Sequence, residues 1–109
     1  MSRSIRKAQK EVHSWVSQYE VPYWKPHEIL ARMAEEVGEL AREINHRFGP
    51  KQKKASESER DLADEIGDVH FTLICLANSQ GIDLDEVFDR TMAKCYGRDV
   101  ARFKKKAKK

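Results

Sequence analysis

The sequence has few of the features that mark secreted, zinc-binding or membrane proteins. Its two cysteines, Cys75 and Cys95, stand in no spacing typical of a metal site. No apolar run approaches the ~20 residues needed to cross a bilayer. The first residues carry charge without the apolar stretch of a signal peptide. We therefore predict a cytoplasmic protein whose cysteines are small buried hydrophobes.

The sequence also lacks a strong excess of charge of either sign. The formal net charge is +3 although 36% of the residues are charged, so the two signs nearly balance. They are segregated, however, because the carboxylates concentrate in the middle of the chain and the segment 98–109 is rich in Lys and Arg. A basic field over the whole surface, as a nucleic-acid-binding protein would need, is not indicated.

Glycine and proline are sparse as well, with five and three residues, and no strand-like alternation stands out. Their positions and the apolar periodicity predict four helices. One domain over residues 1–109 is expected, all-α, with a four-helix bundle-like protomer completed by oligomerisation. Its basic tail, 98–109, is expected to be partly disordered. The predicted helices run from about Ser4 to Tyr19, Pro26 to Phe48, Glu57 to Ser79, and Asp83 to Cys95.

Two of these helices carry pairs of carboxylates beside their apolar stripes. In "MAEEVGELAREI", Glu36 and Glu39 border the stripe on a helical wheel, and in "LADEIGDVHF", Glu65 and Asp68 do the same. Each pair is spaced i, i+3, and packing the two helices together can bring the pairs face to face. We expect the apolar stripes to form the core. The stripe of the second helix is Ile29, Met33, Val37, Leu40, Ile44 and Phe48, and that of the third helix is Leu62, Ile66, Val69, Leu73 and Leu76.

Such a grouping of carboxylates has an electrostatic cost. Two ionised carboxylates ~5 Å apart repel by roughly 3 kcal/mol at an effective dielectric constant of ~20. Four carboxylates form six such pairs, so the total repulsion is on the order of 10–20 kcal/mol. That exceeds the stability typical of a small domain. Either some acids stay protonated or a divalent cation neutralises them, unless the acids are only the charged flanks of amphipathic helices. An all-oxygen ligand set favours Mg²⁺ or Mn²⁺ over Zn²⁺.

The two motifs, "EEVGEL" and "DEIGDV", resemble the paired signature of the MazG-like nucleotide pyrophosphohydrolases. That family belongs to the all-α NTP pyrophosphatase superfamily, and the resemblance points to its short, single-domain, YpjD-like branch. The family pattern is ExxE, a spacer, then ExxD; here it reads Glu36-x-x-Glu39, 25 intervening residues, then Glu65-x-x-Asp68. The resemblance covers nearly the whole chain.

The resemblance implies an enzyme that cleaves NTP or dNTP to the monophosphate and pyrophosphate, in a housecleaning role. Glu36, Glu39, Glu65 and Asp68 would be both the catalytic carboxylates and the ligands of Mg²⁺, with Mn²⁺ as a substitute. Lys94 and Arg98 are similar to the family's K-x-x-x-R phosphate-binding pair. Such enzymes are dimers or dimers of dimers, so a homodimer or homotetramer is expected.

Other substrate contacts are expected from residues outside these motifs. Lys54 lies in a Lys-rich loop and could close over phosphates, and Trp24 follows the first linker and could stack on a base. Trp15 and Tyr19, close by in the sequence, are expected in the core. The third helix has a second apolar patch of Phe71, Ile74 and Cys75, which we expect another subunit to cover.

Two other functions fit parts of the sequence. A di-iron carboxylate bundle needs two ExxH pairs, and the chain offers one, Glu43-x-x-His46; the four histidines are otherwise interpreted as structural. A non-catalytic helical oligomeric module could bind nucleic acid or nucleotides through the basic tail.

Overall fold

The computed structural model describes residues 4–49, 62–98 and 101–107, and across these ranges the ordered elements are all helices. The predicted all-α class is confirmed. The predicted start of the third helix and Lys54 lie outside the described residues. The helices are α1 (Ile5–Val16), α2 (Pro26–Phe48), α3 (Leu62–Ser79) and α4 (Leu84–Tyr96).

The limits of the helices follow from local chemistry. Pro26 opens α2, where a missing N–H costs nothing, and α4 begins after Asp83, whose Oδ1 accepts a hydrogen bond from the Asp85 N–H at 3.0 Å. Gly81 ends α3 with a φ of 67°, in the left-handed region that glycine adopts without strain. These three boundaries agree with the sequence prediction.

α1 is shorter than predicted because the chain tightens after Val16. The N–H of Gln18 donates to Trp15 O at 3.4 Å and that of Tyr19 to Val16 O at 3.1 Å. These are i→i−3 bonds, which belong to a tight turn rather than to a continuing α-helix. Tyr19 therefore lies in the turn after α1, beyond the end of the helix.

α3 is the central helix. Both α1 and α2 pack against it, whereas α4 packs on α1. On the α1 side, Ile74 is buried and the rings of Phe71 and Trp15 meet edge to face at 6.0 Å. α1 of the same chain therefore covers part of this second patch of α3, while Phe71 stays 41% exposed. The expectation that another subunit covers the patch stays a prediction.

A buried amide connects α1 to the turn between α3 and α4. The Gln9 side chain donates to Asn78 Oδ1 at 2.9 Å and to Ile82 O at 2.7 Å, and it accepts from the Leu84 N–H at 2.8 Å. The Asn78 amide donates in return to Gln9 O at 2.9 Å. Each such bond contributes about 0.5–1.5 kcal/mol, and leaving the buried groups unsatisfied costs more, so this network fixes the turn on α1.

Charged groups hold the beginnings of α1 and α4 together. The backbone N–H groups of Ile5 and Arg6 donate to the two carboxylate oxygens of Asp85 at 3.2 and 3.3 Å. The Arg6 guanidinium donates to Asp83 at 2.7 Å and holds the pKa of that carboxyl below its usual range. The contribution of the Arg6–Asp83 ion pair to stability is present at neutral pH. It is lost in acid, as the pH falls through the lowered pKa of Asp83.

α2 buries only part of the stripe that the wheel indicates. Its buried residues are Ile29, Glu36 and Glu43, seven residues apart, whereas Val37 and Ile44 are 47% and 42% exposed. Each exposed residue follows a buried one, which is about 100° of helical rotation. The prediction that Val37, Ile44 and Phe48 face the core of the chain is therefore wrong, because α3 packs on the face that carries the acids.

α3 shows the same displacement of its apolar residues. Glu65 is buried, while Ile66 and Leu73, expected in the core, are 53% and 43% exposed. The core of the described chain is accordingly small, and its buried hydrophobic residues are Val16, Ile29, Ile74 and Ala77. None of the helices in the described ranges combines the length and apolarity that a membrane span requires.

Candidate active site

The acids of α2 and α3 converge on one point. Four carboxylate oxygens lie within 4.8 Å of one another, one from each of Glu36, Glu39, Glu65 and Asp68. The i, i+3 spacing places both acids of a pair on one side of their helix, and the packing of α2 on α3 supplies the second pair. Glu36 and Glu65 are buried, Asp68 is half-buried and Glu39 is exposed, so the group opens to solvent on one side.

This ligand set suits a hard divalent cation. All four potential ligands are carboxylate oxygens, which Mg²⁺ and Mn²⁺ prefer, and no thiolate or imidazole is among them. In the described part of the chain, this is the one group of three or more potential metal ligands. Glu43 and His46, the pair that a di-iron site would use, are outside it.

A cation of the chain itself stands beside the acids. Arg32 lies one turn before Glu36 on α2, and its Nε is 2.9 Å from Glu36 Oε1. A second guanidinium nitrogen is 3.7 Å from Glu35 Oε2. The sequence analysis missed Arg32, although its i, i+4 spacing from Glu36 is the signal that could have found it.

Three of the four acids, Glu36, Glu39 and Asp68, line a cleft of about 690 Å³. Aromatic residues line the same cleft, and Trp15 meets Tyr19 there edge to face at 5.1 Å. A cleft lined by both acids and aromatic rings can bind a molecule that has a cation-associated part and a flat apolar part. Its lining residues include Glu36, Glu39, Asp68, Arg32, Thr72 and Cys75, and also Trp15, Tyr19, Tyr23, Trp24, Ile29 and Phe71.

The aromatic residues of the cleft are only partly those expected. Trp24 lines the cleft, as a base-stacking residue would have to. Trp15 and Tyr19 were expected in the core, but both are 52% exposed. That prediction is wrong because Trp15, near the end of α1, and Tyr19, in the tight turn after it, line the cleft and are not enclosed between helices.

Tyr23 fixes the linker that forms one wall of the cleft. Its hydroxyl accepts a hydrogen bond from the Asn78 amide at 3.1 Å and lies 2.8 Å from His13 Nδ1. Burial raises the pKa of Tyr23. The phenol is therefore neutral at physiological pH and its proton can be donated to the imidazole, which ties the linker to both α1 and α3.

The two cysteines differ in their surroundings. Cys75 is half-buried in the cleft, and burial raises the pKa of its thiol. It is therefore a protonated, weakly nucleophilic group near neutral pH. Cys95 is exposed on α4, so the expectation that it is a buried hydrophobe is wrong, because α4 packs on α1 through other residues.

The predicted phosphate-binding residues are not among those that line this cleft. Lys94, near the end of α4, and Arg98, just beyond that helix, are both exposed. α4 packs on α1, whereas the acids lie on α2 and α3. Lys54 lies outside the described residues.

Comparison with known proteins gives a consistent result. A family model for the MazG nucleotide pyrophosphohydrolase domain matches residues 25–103, a range that contains all four carboxylates of the group. Among curated proteins, YpjD of Bacillus subtilis (strain 168) is 46% identical over 104 residues, which cover 95% of this chain and 94% of YpjD.

Solved structures agree with this match. The crystal structure of Bacillus subtilis YPJD superposes with a TM-score of 0.78 at 47% identity and covers 86% of this chain and 96% of its own. The crystal structure of the Bacillus-conserved MazG protein, a nucleotide pyrophosphohydrolase, gives 0.75 at 40% identity and covers 85% of this chain and 90% of its own.

Proposed function

The chain belongs to the MazG nucleotide pyrophosphohydrolase family, and on that basis we propose that it hydrolyses NTP or dNTP to the monophosphate and pyrophosphate in a Mg²⁺-dependent reaction. The observation that carries this proposal is that ligand oxygens of Glu36, Glu39, Glu65 and Asp68 lie within 4.8 Å of one another, beside a cleft that three of these acids line. Mn²⁺ would substitute for Mg²⁺, since both bind oxygen ligands in similar geometry.

The cleft suggests how the chain's residues divide the work. The triphosphate would lie beside the four acids, where Mg²⁺, when bound, would supply the positive charge that offsets the negative charge of the phosphate oxygens. The carboxylates hold the cation, and one of them takes the proton of the attacking water. Water oxygen bonds to the α-phosphorus, the bond from that phosphorus to the bridging oxygen breaks, and pyrophosphate leaves.

The outer phosphates need further cations. Lys94 and Arg98 serve this role in our proposal, as the family pattern implies, with Lys54 from the preceding loop. Because Lys94 and Arg98 are not among the residues that line the cleft of their own chain, they would reach a triphosphate from a neighbouring subunit.

We propose a homodimer, or a homotetramer built from it, joined through α2 and α3. The exposed apolar residues Val37, Ile44, Ile66 and Leu73 lie on the two helices that carry the acids. Few hydrophobic residues are buried within the described chain, and a subunit interface would remove these side chains from water. We take residues 1–109 as one catalytic domain with a basic tail, acting on the nucleotide pool of the cytoplasm.

The test is a panel of NTPs and dNTPs incubated with the full chain and Mg²⁺. We expect pyrophosphate and the nucleoside monophosphate to appear in equal amounts, and both to cease when EDTA removes the metal. Release of inorganic phosphate and a nucleoside diphosphate would contradict cleavage at the α-phosphorus. Absence of turnover for every triphosphate would contradict the proposed activity itself.

Replacement of Trp24 by alanine tests whether the aromatic residues of the cleft bind the nucleotide base. Stacking of a base on an aromatic side chain contributes about 1–3 kcal/mol, so we expect KM for the preferred triphosphate to rise about 10–100-fold. Competitive inhibition by inorganic tripolyphosphate, which has no base, should be unchanged. Tyr96→Ala is the matched control, because Tyr96 is 76% exposed on α4 and lines no part of the cleft. An equal loss of affinity for tripolyphosphate would refute base stacking on Trp24.

A further inference from the structure

Arg32 lines the cleft beside the acids, and its side chain is partly exposed to solvent. Its guanidinium approaches Glu36 to 2.9 Å, and the residue lines the cleft together with Glu36, Glu39 and Asp68. The Arg32 side chain is 52% exposed while that of Glu36 is 7% exposed. One partner of this ion pair is therefore enclosed by the protein, and the other is half open to solvent.

Ionised carboxylates in the four-acid group need a positive charge nearby even without a metal ion. Glu36 and Glu65 are both buried, and ligand oxygens of all four acids are within 4.8 Å of one another. Burial without a counter-charge is costly for an ionised carboxylate. Arg32 supplies such a charge from the same helix, four residues before Glu36.

The guanidinium also has donors to spare. It carries five N–H groups in a planar fork, and the contacts with Glu36 and Glu35 involve only two of its three nitrogens. A planar fork matches two oxygens of one phosphate group. An arginine that lines the same cleft as the acids can therefore exchange a carboxylate for a phosphate by a change of rotamer.

We propose that Arg32 is a replaceable counter-cation, which holds Glu36 in place in the metal-free protein and moves to a substrate phosphate when a divalent cation occupies the carboxylates. It is a positioning residue toward Glu36 and a substrate-binding residue toward the phosphate. The first half of the proposal stands on the ion pair alone, and the second half rests on the proposed hydrolysis of triphosphates.

Arg32→Gln tests the first half without any substrate. Mn²⁺ titration, followed by the loss of the free-ion electron paramagnetic resonance signal, should give a dissociation constant about 3–10-fold lower than in wild type, because a competing cation is gone. In EDTA the variant should melt a few degrees below wild type, and saturating Mn²⁺ should remove most of that difference. A purely structural role would instead lower the melting temperature equally in both conditions.

The second half is tested by calorimetric binding of inorganic tripolyphosphate to the Mn²⁺-loaded protein. Arg32→Gln should weaken this binding about 10–100-fold, which corresponds to the loss of a bidentate contact with phosphate. Arg32→Lys keeps the charge but not the fork, so it should bind Mn²⁺ like wild type and still bind tripolyphosphate more weakly. Arg90→Gln, an exposed position on α4 away from the cleft, should change neither constant.

The Mn²⁺ titration and the tripolyphosphate binding each decide one half of the proposal. Unchanged or weaker Mn²⁺ binding by Arg32→Gln overturns the counter-cation role, and unchanged tripolyphosphate binding overturns the transfer to phosphate. Neither measurement needs turnover. If wild type hydrolyses no nucleotide, the proposed function fails, while these two binding results still decide the role of Arg32.

Discussion

Replacement of Glu39 by glutamine is expected to lower kcat for Mg²⁺-dependent pyrophosphate release by about 10²–10³-fold. The amide keeps the size of the side chain and removes one of the four negative charges that converge within 4.8 Å. Glu39 is exposed, so the substitution disturbs no buried packing. In EDTA the variant should melt no lower than wild type, because one source of carboxylate repulsion has been removed.

Glu35→Gln is the matched control for this experiment. Glu35 lies on the same helix, its side chain is 69% exposed, and it is not among the acids of the group. We expect its kcat to be within about twofold of wild type, as for most surface substitutions. If both variants lose activity equally, or if Glu39→Gln keeps full activity, the acid group is not the catalytic centre.

Replacement of Ile44 by lysine is expected to convert the proposed oligomer into monomers. Ile44 is 42% exposed on α2 and directly follows the buried Glu43. It lies on the same exposed apolar face of the helix as Val37. In a two-fold symmetric interface the substitution occurs twice. A cost of about 2 kcal/mol per copy therefore raises the dimer dissociation constant about 10³-fold. Light scattering after size exclusion, at several protein concentrations, measures the effect.

Ile82→Lys provides the comparison for Ile44→Lys. It is the same chemical change at a residue of similar exposure, 44%, in the turn between α3 and α4 rather than on the acid-bearing helices. Its mass in solution should equal that of wild type. A wild-type chain that is already monomeric at micromolar concentration, or dissociation by both variants, would contradict an interface through α2 and α3.

Several ends of the helices, though not the end of α1, could be predicted because their causes are local. Pro26, Gly81 and Asp83 act through their own backbone or through neighbours a few residues away. The meeting of the acids could also be anticipated, since i, i+3 spacing on two packed helices leaves few arrangements. The metal and catalytic roles of those acids, by contrast, stay predictions.

The buried face of α2 could not be predicted, because a helical wheel cannot distinguish a face that meets its own chain from one left for another surface. Ile44 has the periodicity of a core residue and is exposed in the single chain. The hydrogen bonds of Gln9 and Asn78 were missed for a different reason. They join residues 69 positions apart, and an uncharged amide gives no sequence signal of its partner.

The burial of Glu36 and Glu65 between α2 and α3 sets an evolutionary constraint. These positions lie where leucine would strengthen the contact between the helices, so a substitution that improved packing would remove charges from the acid group. Selection for thermal robustness and selection for chemistry therefore compete at the same two sites. Lineages of such proteins adapting to heat would have to gain stability elsewhere, at caps, linkers and contacts between chains.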